Sequence, residues 1–147
     1  MKILFIYDHK YPHLWKDGLW AALNLLEKDG FEIEKINLEG CARVRFPPAD
    51  FVLGWGAFGS NVDYTLRTPD VFEGIKKGLC IGGNAHPPIA QHQYDVLFYE
   101  TEWYLPQIMS HKNAVHAFGV NTEIYKPIDN PIFLWDWITV GAFANWK

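Results

Sequence analysis

The side chains of this chain that could do chemistry sit in short polar loops, each just behind an apolar run. His86 lies in Gly82-Gly83-Asn84-Ala85-His86-Pro87-Pro88, which follows Leu79-Cys80-Ile81. An imidazole there can accept from or donate to a ligand hydroxyl near neutral pH. Glu102, in Glu100-Thr101-Glu102, follows the run Asp95 to Tyr99. A carboxylate at that point can hold a hydroxyl or act as a base. It can equally be a charge facing a helix N-terminus, worth from a few tenths to about 1 kcal/mol. Asp8 and His9 open a long polar-aromatic loop, Asp8 to Gly18, behind Lys2-Ile3-Leu4-Phe5-Ile6-Tyr7. Its acid, histidines and lysines could bind a ligand, or the loop could simply be solvated.

Two familiar site patterns are weak here. His9 and His13 are four apart, but Pro12 lies between them and spoils a helix, and no histidine pair has ligand spacing beside an acid. No metal site is expected. Gly54-Trp55-Gly56-Ala57-Phe58-Gly59 has the form G-x-G-x-x-G. A dinucleotide site needs such a turn to open directly into a helix, whose amides meet the pyrophosphate. Ser60 to Tyr64 follows instead, and the clearest helix start comes only at Thr68-Pro69-Asp70. A glycine-rich loop bordering a cleft is the reading preferred for Gly56.

The elements that must position these residues read as alternating strands and helices. Lys2–Tyr7 is a continuous apolar run, as expected of a strand buried on both faces of a parallel sheet. A helix is expected from Leu19 to Asp29, with Leu19, Leu23 and Leu26 on one face, Asp17 as N-cap and Gly30 as its stop. Phe31 to Leu38 reads as a second strand and Phe51-Val52-Leu53 as a third. A second helix is expected from Thr68, with Thr68 as cap, Pro69 in the first position and Gly78 at the end. Leu79-Cys80-Ile81, Asp95 to Tyr99 and Ala114 to Ala117 complete the strands, with a short helix from Pro106 to about His111. The alternation predicts an α/β fold with an open, doubly wound parallel sheet of Rossmann-like type. In such a sheet, ligands bind beyond the carboxyl ends of the strands. The loop ending at Gly18, Gly56, Gly82-Gly83 and His86 should therefore line one cleft.

Composition excludes several classes. The net charge is −4 and no Lys/Arg run occurs, so nucleic-acid binding through a basic patch is not expected. The two cysteines, Cys41 and Cys80, have no C-x-x-C spacing and read as reduced thiols, which fits a cytoplasmic protein. No signal peptide opens the chain, and no apolar run approaches the roughly 18 residues of a membrane span. The 7 Trp, 7 Tyr and 10 Phe can fill a core, line a sugar groove or mark an interaction surface.

One stretch is more specific. His116 to Pro127 reads H-A-F-G-V-N-T-E-I-Y-K-P, and Asp136 to Phe143 reads D-W-I-T-V-G-A-F. Gly119 and Asn121 suit a turn, and Ile138-Thr139-Val140 a short strand. The pair resembles the passage between the two domains of GT-B glycosyltransferases of the retaining, nucleotide-sugar-using families. There a turn like N-G-V-D precedes an aromatic and a proline, here Tyr125 and Pro127, and the next strand reads roughly V-G-R/A. The resemblance implies that residues 1–130 form an acceptor-side domain, the N-terminal domain of a GT-B fold. Residues 131–147 would be the linker and first strand of a donor-binding domain that is otherwise missing.

The whole enzyme would move a sugar from a nucleoside-diphosphate donor, its co-substrate, to a hydroxyl of a small-molecule or glycan acceptor. The resemblance implies no other cofactor, and this part alone would be inactive. It points to His86 as an N-domain histidine facing the donor, here taken with Glu102 as the catalytic candidates. Lys147 falls near the basic position that meets the diphosphate. Asp8, His9, Gly18, Gly56, Gly82, Gly83 and Asn84 are the acceptor-side candidates, with Gly18 standing where the family often has a tighter Gly-Gly turn. The acidic E-x7-E motif of the family has no place before Lys147. A rival reading is a free-standing flavodoxin-like module that binds a nucleotide or flavin. Residues 132–147, apolar and without their sheet, are expected to fold back on the domain or to pair with a second copy, with a homodimer favoured.

Overall fold

The computed structural model describes residues 1–8, 18–39, 45–81, 91–100, 108, 110–117, 119, 121–124 and 126. They form the expected α/β architecture. Six strands, β1 (Lys2–Tyr7), β2 (Glu32–Asn37), β3 (Phe51–Trp55), β4 (Lys76–Ile81), β5 (Val96–Tyr99) and β6 (Ala114–His116), make one sheet in the order β2-β1-β3-β4-β5-β6. Every neighbouring pair is parallel. The described part of the sheet is open, with β2 and β6 at its edges. β1 is paired on both sides, and Leu4, Phe5 and Ile6 are fully buried, which is why its sequence is apolar without alternation.

Helix α1 (Gly18–Lys28) buries Leu23 against Ile3, Phe5 and Leu53, with Leu19, Trp20 and Leu26 alongside. Its end is fixed as the sequence suggests. Gly30 takes φ +90°, its amide donates to the carbonyl of Glu27, and the Phe31 amide donates to that of Leu26. This is the Schellman pattern, in which a left-handed glycine lets two otherwise orphaned carbonyls be satisfied. Asp17, the expected cap, lies outside the described residues.

The second helix is not where the sequence points. Helix α2 spans Asn61–Arg67, and Thr68 closes it instead of opening it. The Thr68 amide donates to the Thr65 carbonyl and its hydroxyl to that of Tyr64. Two local causes decide this. Ser60 caps the helix, its Oγ accepting from the Asp63 amide at 3.3 Å. Pro69 disfavours helical backbone at the residue before it, and Thr68 is extended at φ −60°, ψ 123°. Residues 68–75 are turns, and Gly78, expected to end that helix, lies within β4. β3 likewise runs two residues further than expected, through Gly54 to Trp55.

The sheet is covered from both sides. Leu4, Ile6, Val52, Leu79, Ile81 and Leu97 point to the α2 face, where they meet Val62, Leu66, Phe72, Tyr94 and Ile108. Ile3, Phe5 and Leu53 point to the α1 face. Gly54 is the point of closest approach on the α2 side: a Cβ there would stand 2.4 Å from Leu66 Cδ1 and 2.7 Å from Val62 Cγ1. The fourth, fifth and sixth strands match the sequence reading to within a few residues. The short helix expected from Pro106 lies mostly outside the described residues, as does everything from 127 to 147.

Candidate functional site

The strand order reverses at one place. β1 connects through α1 to β2 on one side, while the chain goes on to β3, β4, β5 and β6 on the other. At such a switch point the loops leaving the two central strands diverge and open a crevice beyond their carboxyl ends. Here the central strands are β1 and β3. Their last residues, Tyr7 and Trp55, are register partners, so Asp8 and Gly56 leave the sheet side by side.

A hydrogen bond spans the crevice. Asn61, the first residue of α2, donates its side-chain amide to Asp8 Oδ2 at 2.7 Å. Asp8 is half-buried and sits on the α2 side of the edge, in the row continued by Ile6 and Leu4. The carboxylate has a second oxygen, and Asn61 retains a carbonyl oxygen and a second N–H. The pair therefore offers both acceptors and a donor to a polyhydroxyl ligand, fixed in orientation by their mutual bond. On the opposite, α1-side face of the same strand end, burial pushes the phenol of Tyr7 up as it packs against Phe5 and Trp20.

The glycine loop behaves differently from a phosphate cradle. α2 does begin directly after it, at Asn61, so the helix that the sequence reading places only from Thr68 is in fact adjacent. Yet three of the loop's amides are already used. Gly56 N–H donates to the Cys80 carbonyl at 3.0 Å, Ser60 N–H to the Ala57 carbonyl at 3.1 Å, and Gly59 N–H to Asp63 Oδ2 at 2.8 Å. The anion that this turn holds is the protein's own carboxylate. Asp63 is 2% exposed and is also gripped by Arg67, through Nε at 3.0 Å and Nη2 at 2.9 Å, and by the Tyr94 hydroxyl. Burial, and then the hydrogen bond to Asp63, push the Tyr94 phenol far up, while the Asp63 carboxylate holds the Arg67 guanidinium above its usual value. The glycines themselves have packing reasons. Gly59 takes φ +81°, and a Cβ on Gly56 would stand 2.6 Å from Ser60 Oγ.

Further along the same edge, the ring of His116 stacks on that of Tyr99 at 5.2 Å, with 23° between the planes. His116 Nε2 lies 3.2 Å from the Glu100 carbonyl, which can only accept, so Nε2 carries the proton. Asp8 and Glu100 leave β1 and β5, three strand spacings apart, or about 14 Å. The edge is thus broad enough for a ligand larger than one sugar ring.

The sequence-derived site residues divide as follows. Asp8 and Gly56 come together at the switch point. Gly18 opens α1 on the same edge: β2 starts beside Lys2 at the amino edge, and the 11 residues of α1 span about 16 Å back toward the carboxyl edge. His9, Gly82, Gly83, Asn84, His86, Glu102 and Lys147 lie outside the described residues. Asn61, the partner of Asp8, went unnoticed in the sequence. The signal for it was present as Ser60-Asn61-Val62-Asp63, the S-x-x-D form of a helix start, directly after the glycine turn. Among the described residues no group of three or more His, Cys, Asp or Glu could hold a metal ion, and no helix is long and apolar enough to cross a membrane. No protein-family model matches this chain, and no curated protein matches it.

Proposed function

We propose that this chain is the acceptor-binding part of a GT-B-type glycosyltransferase, in which a sugar passes from a nucleoside-diphosphate donor to an acceptor hydroxyl. The observation that carries the reading is the Asp8–Asn61 pair at the switch point of an open, all-parallel sheet. A rigid acid–amide pair in that crevice suits the hydroxyls of a small-molecule or glycan acceptor. The glycine loop, with the amides of Gly56, Gly59 and Ser60 committed to backbone carbonyls and Asp63, suits a nucleotide diphosphate poorly. This agrees with a division of labour in which a downstream domain carries the donor, and the acceptor-side part has no transfer activity of its own. His86 and Glu102 remain the catalytic candidates and Lys147 the diphosphate candidate on that reading, in a cytoplasmic enzyme.

The flavodoxin-like alternative also has an observation in its favour, since the order β2-β1-β3-β4-β5 is shared by that class of doubly wound sheet. Calorimetric titration of the 147-residue chain with a panel of mono- and oligosaccharides, FMN and NADH separates the two. Saccharide binding that weakens at least tenfold in Asp8→Ala, with the far-UV spectrum unchanged, is expected. Tight stoichiometric FMN or NADH binding overturns the acceptor reading. Sequencing the coding region past the Lys147 codon tests the rest. A βα pattern with E-x7-E supports a donor half, and an immediate stop codon rules it out.

A further inference from the structure

At the amino edge of the sheet, away from the crevice, a cavity of about 520 Å³ lies on the α2 side. Phe46-Pro47-Pro48, in the approach to β3, forms one wall. Each proline fixes its own φ and restricts the residue ahead of it, so this wall is stiff. The turn before β4 forms the other wall. It contains two left-handed residues, Asp70 at φ +65° and Gly74 at φ +72°, and presents Val71, Phe72 and Ile75. The rings of Phe46 and Phe72 meet at 4.9 Å, tilted by 55°. Phe72 is buried, whereas Val71, at the rim, is 38% exposed. The volume falls within the range usual for small-molecule sites, roughly 300–1,000 Å³.

Two charged side chains complete the lining, Glu34 and Arg45. Glu34 is the register partner of Leu4 and so stands on the α2 side. It shares the Lys2 ammonium with Glu32, at 3.2 Å and 3.1 Å, so two carboxylates meet one cation and a negative charge is left over. Arg45 is exposed and brings a positive charge. Among the described residues no ion pair joins Arg45 to Glu34 or to another acid. Opposite charges that line one apolar cavity without pairing suit a ligand that carries both. A guanidinium can grip a carboxylate through two parallel N–H bonds, and a carboxylate accepts from an ammonium. Between these charges, the two phenylalanine rings and their aliphatic neighbours offer contact to an apolar body.

We infer that this cavity is a second binding site, for a free amino acid with a large apolar side chain. Arg45 takes its carboxylate and Glu34 its ammonium, while its side chain lies against Phe46, Phe72, Val71 and Ile75. The inference does not rest on the glycosyltransferase reading, whose crevice is at the opposite edge of the sheet. Calorimetric titration of the 147-residue chain with L-phenylalanine, phenethylamine and N-acetyl-L-phenylalanine tests it. L-Phenylalanine should bind at least fivefold more tightly than either analogue, since one lacks the carboxylate and the other the ammonium. Arg45→Gln should abolish the advantage over phenethylamine, and Glu34→Gln the advantage over the N-acetyl compound. Exposed ion pairs contribute little to stability, so both variants should keep the parent's urea midpoint. Val71→Trp, which fills the cavity from its rim, should remove binding with the far-UV spectrum unchanged. Binding of L-phenylalanine no tighter than that of its analogues, or indifferent to these substitutions, would overturn the inference. So would the absence of binding by L-phenylalanine, L-leucine and L-tryptophan alike. Tighter binding of phenylalanylglycine, whose charges are further apart, would assign the site to short peptides and also overturn it.

Discussion

Asp63 is the side chain on which the α2 side depends most. Removing its carboxylate takes the near acceptor from the buried Tyr94 hydroxyl, which keeps only the Asp63 carbonyl at 3.4 Å, leaves the amide of the exposed Gly59 to water, and leaves Arg67 partly buried without a counter-charge. The Arg67 side chain is 25% exposed, so water recovers part of its loss. Asp63→Ala should cost about 3 kcal/mol, the low end for breaking a buried pair, as read from urea unfolding midpoints. Tyr94 adds a pH signature. Its phenol is held protonated in the fold, far above the ordinary 10.0, chiefly by burial and then by its bond to Asp63. Above pH 10 the unfolded chain releases this proton and the native chain keeps it. The native state then binds more protons, and stability falls as pH rises. The stability that this group contributes is complete below the unfolded value and drains away above it. Tyr94→Phe should therefore lower stability by about 1 kcal/mol near neutrality and flatten the alkaline decline. An alkaline limb identical in the two proteins would show that Tyr94 does not titrate in this way.

At the scale of the element, α2 is a short helix that stands by its cap and its contacts. It has 7 residues, too few to persist on propensity alone. Ser60→Ala removes the acceptor of the Asp63 amide and should cost about 1 kcal/mol. Gly54→Ala tests the packing beneath it. The added methyl would overlap Leu66 and Val62, both fully buried, and should destabilise by about 1–3 kcal/mol. Circular dichroism melts of the two variants measure both effects. A Gly54→Ala protein as stable as the parent would mean that α2 can move off the sheet without loss. α1 needs less help, since Trp20 packs edge-on against Phe5 and Tyr7, and the Lys35 ammonium sits 5.1 Å over the Trp20 ring while pairing with Glu27.

For the whole molecule, the sheet order sets a gradient of protection. β1 and β3 are paired on both sides and carry side chains with no exposure at Leu4, Phe5, Ile6 and Val52. β6 is a three-residue edge strand with an exposed Val115. Native-state hydrogen exchange should find the amides of β1 and β3 slowest, opening only with global unfolding, and those of β6 fastest among the strands. Uniform protection across the sheet would contradict this order. At the other edge, Lys2 bridges Glu32 and Glu34 of β2, the kind of charged fringe that discourages pairing with another sheet.

Local rules along the chain were enough for much of this architecture. The unbroken apolar run of β1, the leucine face of α1, the left-handed Gly30 and the alternation of strands with helices all follow from neighbours a few residues apart. They identify an open parallel sheet, and the rule that ligands meet its carboxyl edge picks out Asp8 and Gly56. What depends on distant residues was not legible. Thr68-Pro69-Asp70 looks like a helix start because caps and prolines are read locally, but α2 forms earlier, where Val62 and Leu66 can seat on Gly54 of the neighbouring strand. The Asp8–Asn61 pair joins residues 53 apart, and the Asp63–Tyr94 pair residues 31 apart. No periodicity encodes such contacts. They exist because the strand order places β1 beside β3 and brings Tyr94, just ahead of β5, onto α2, a choice made only when the sheet assembles.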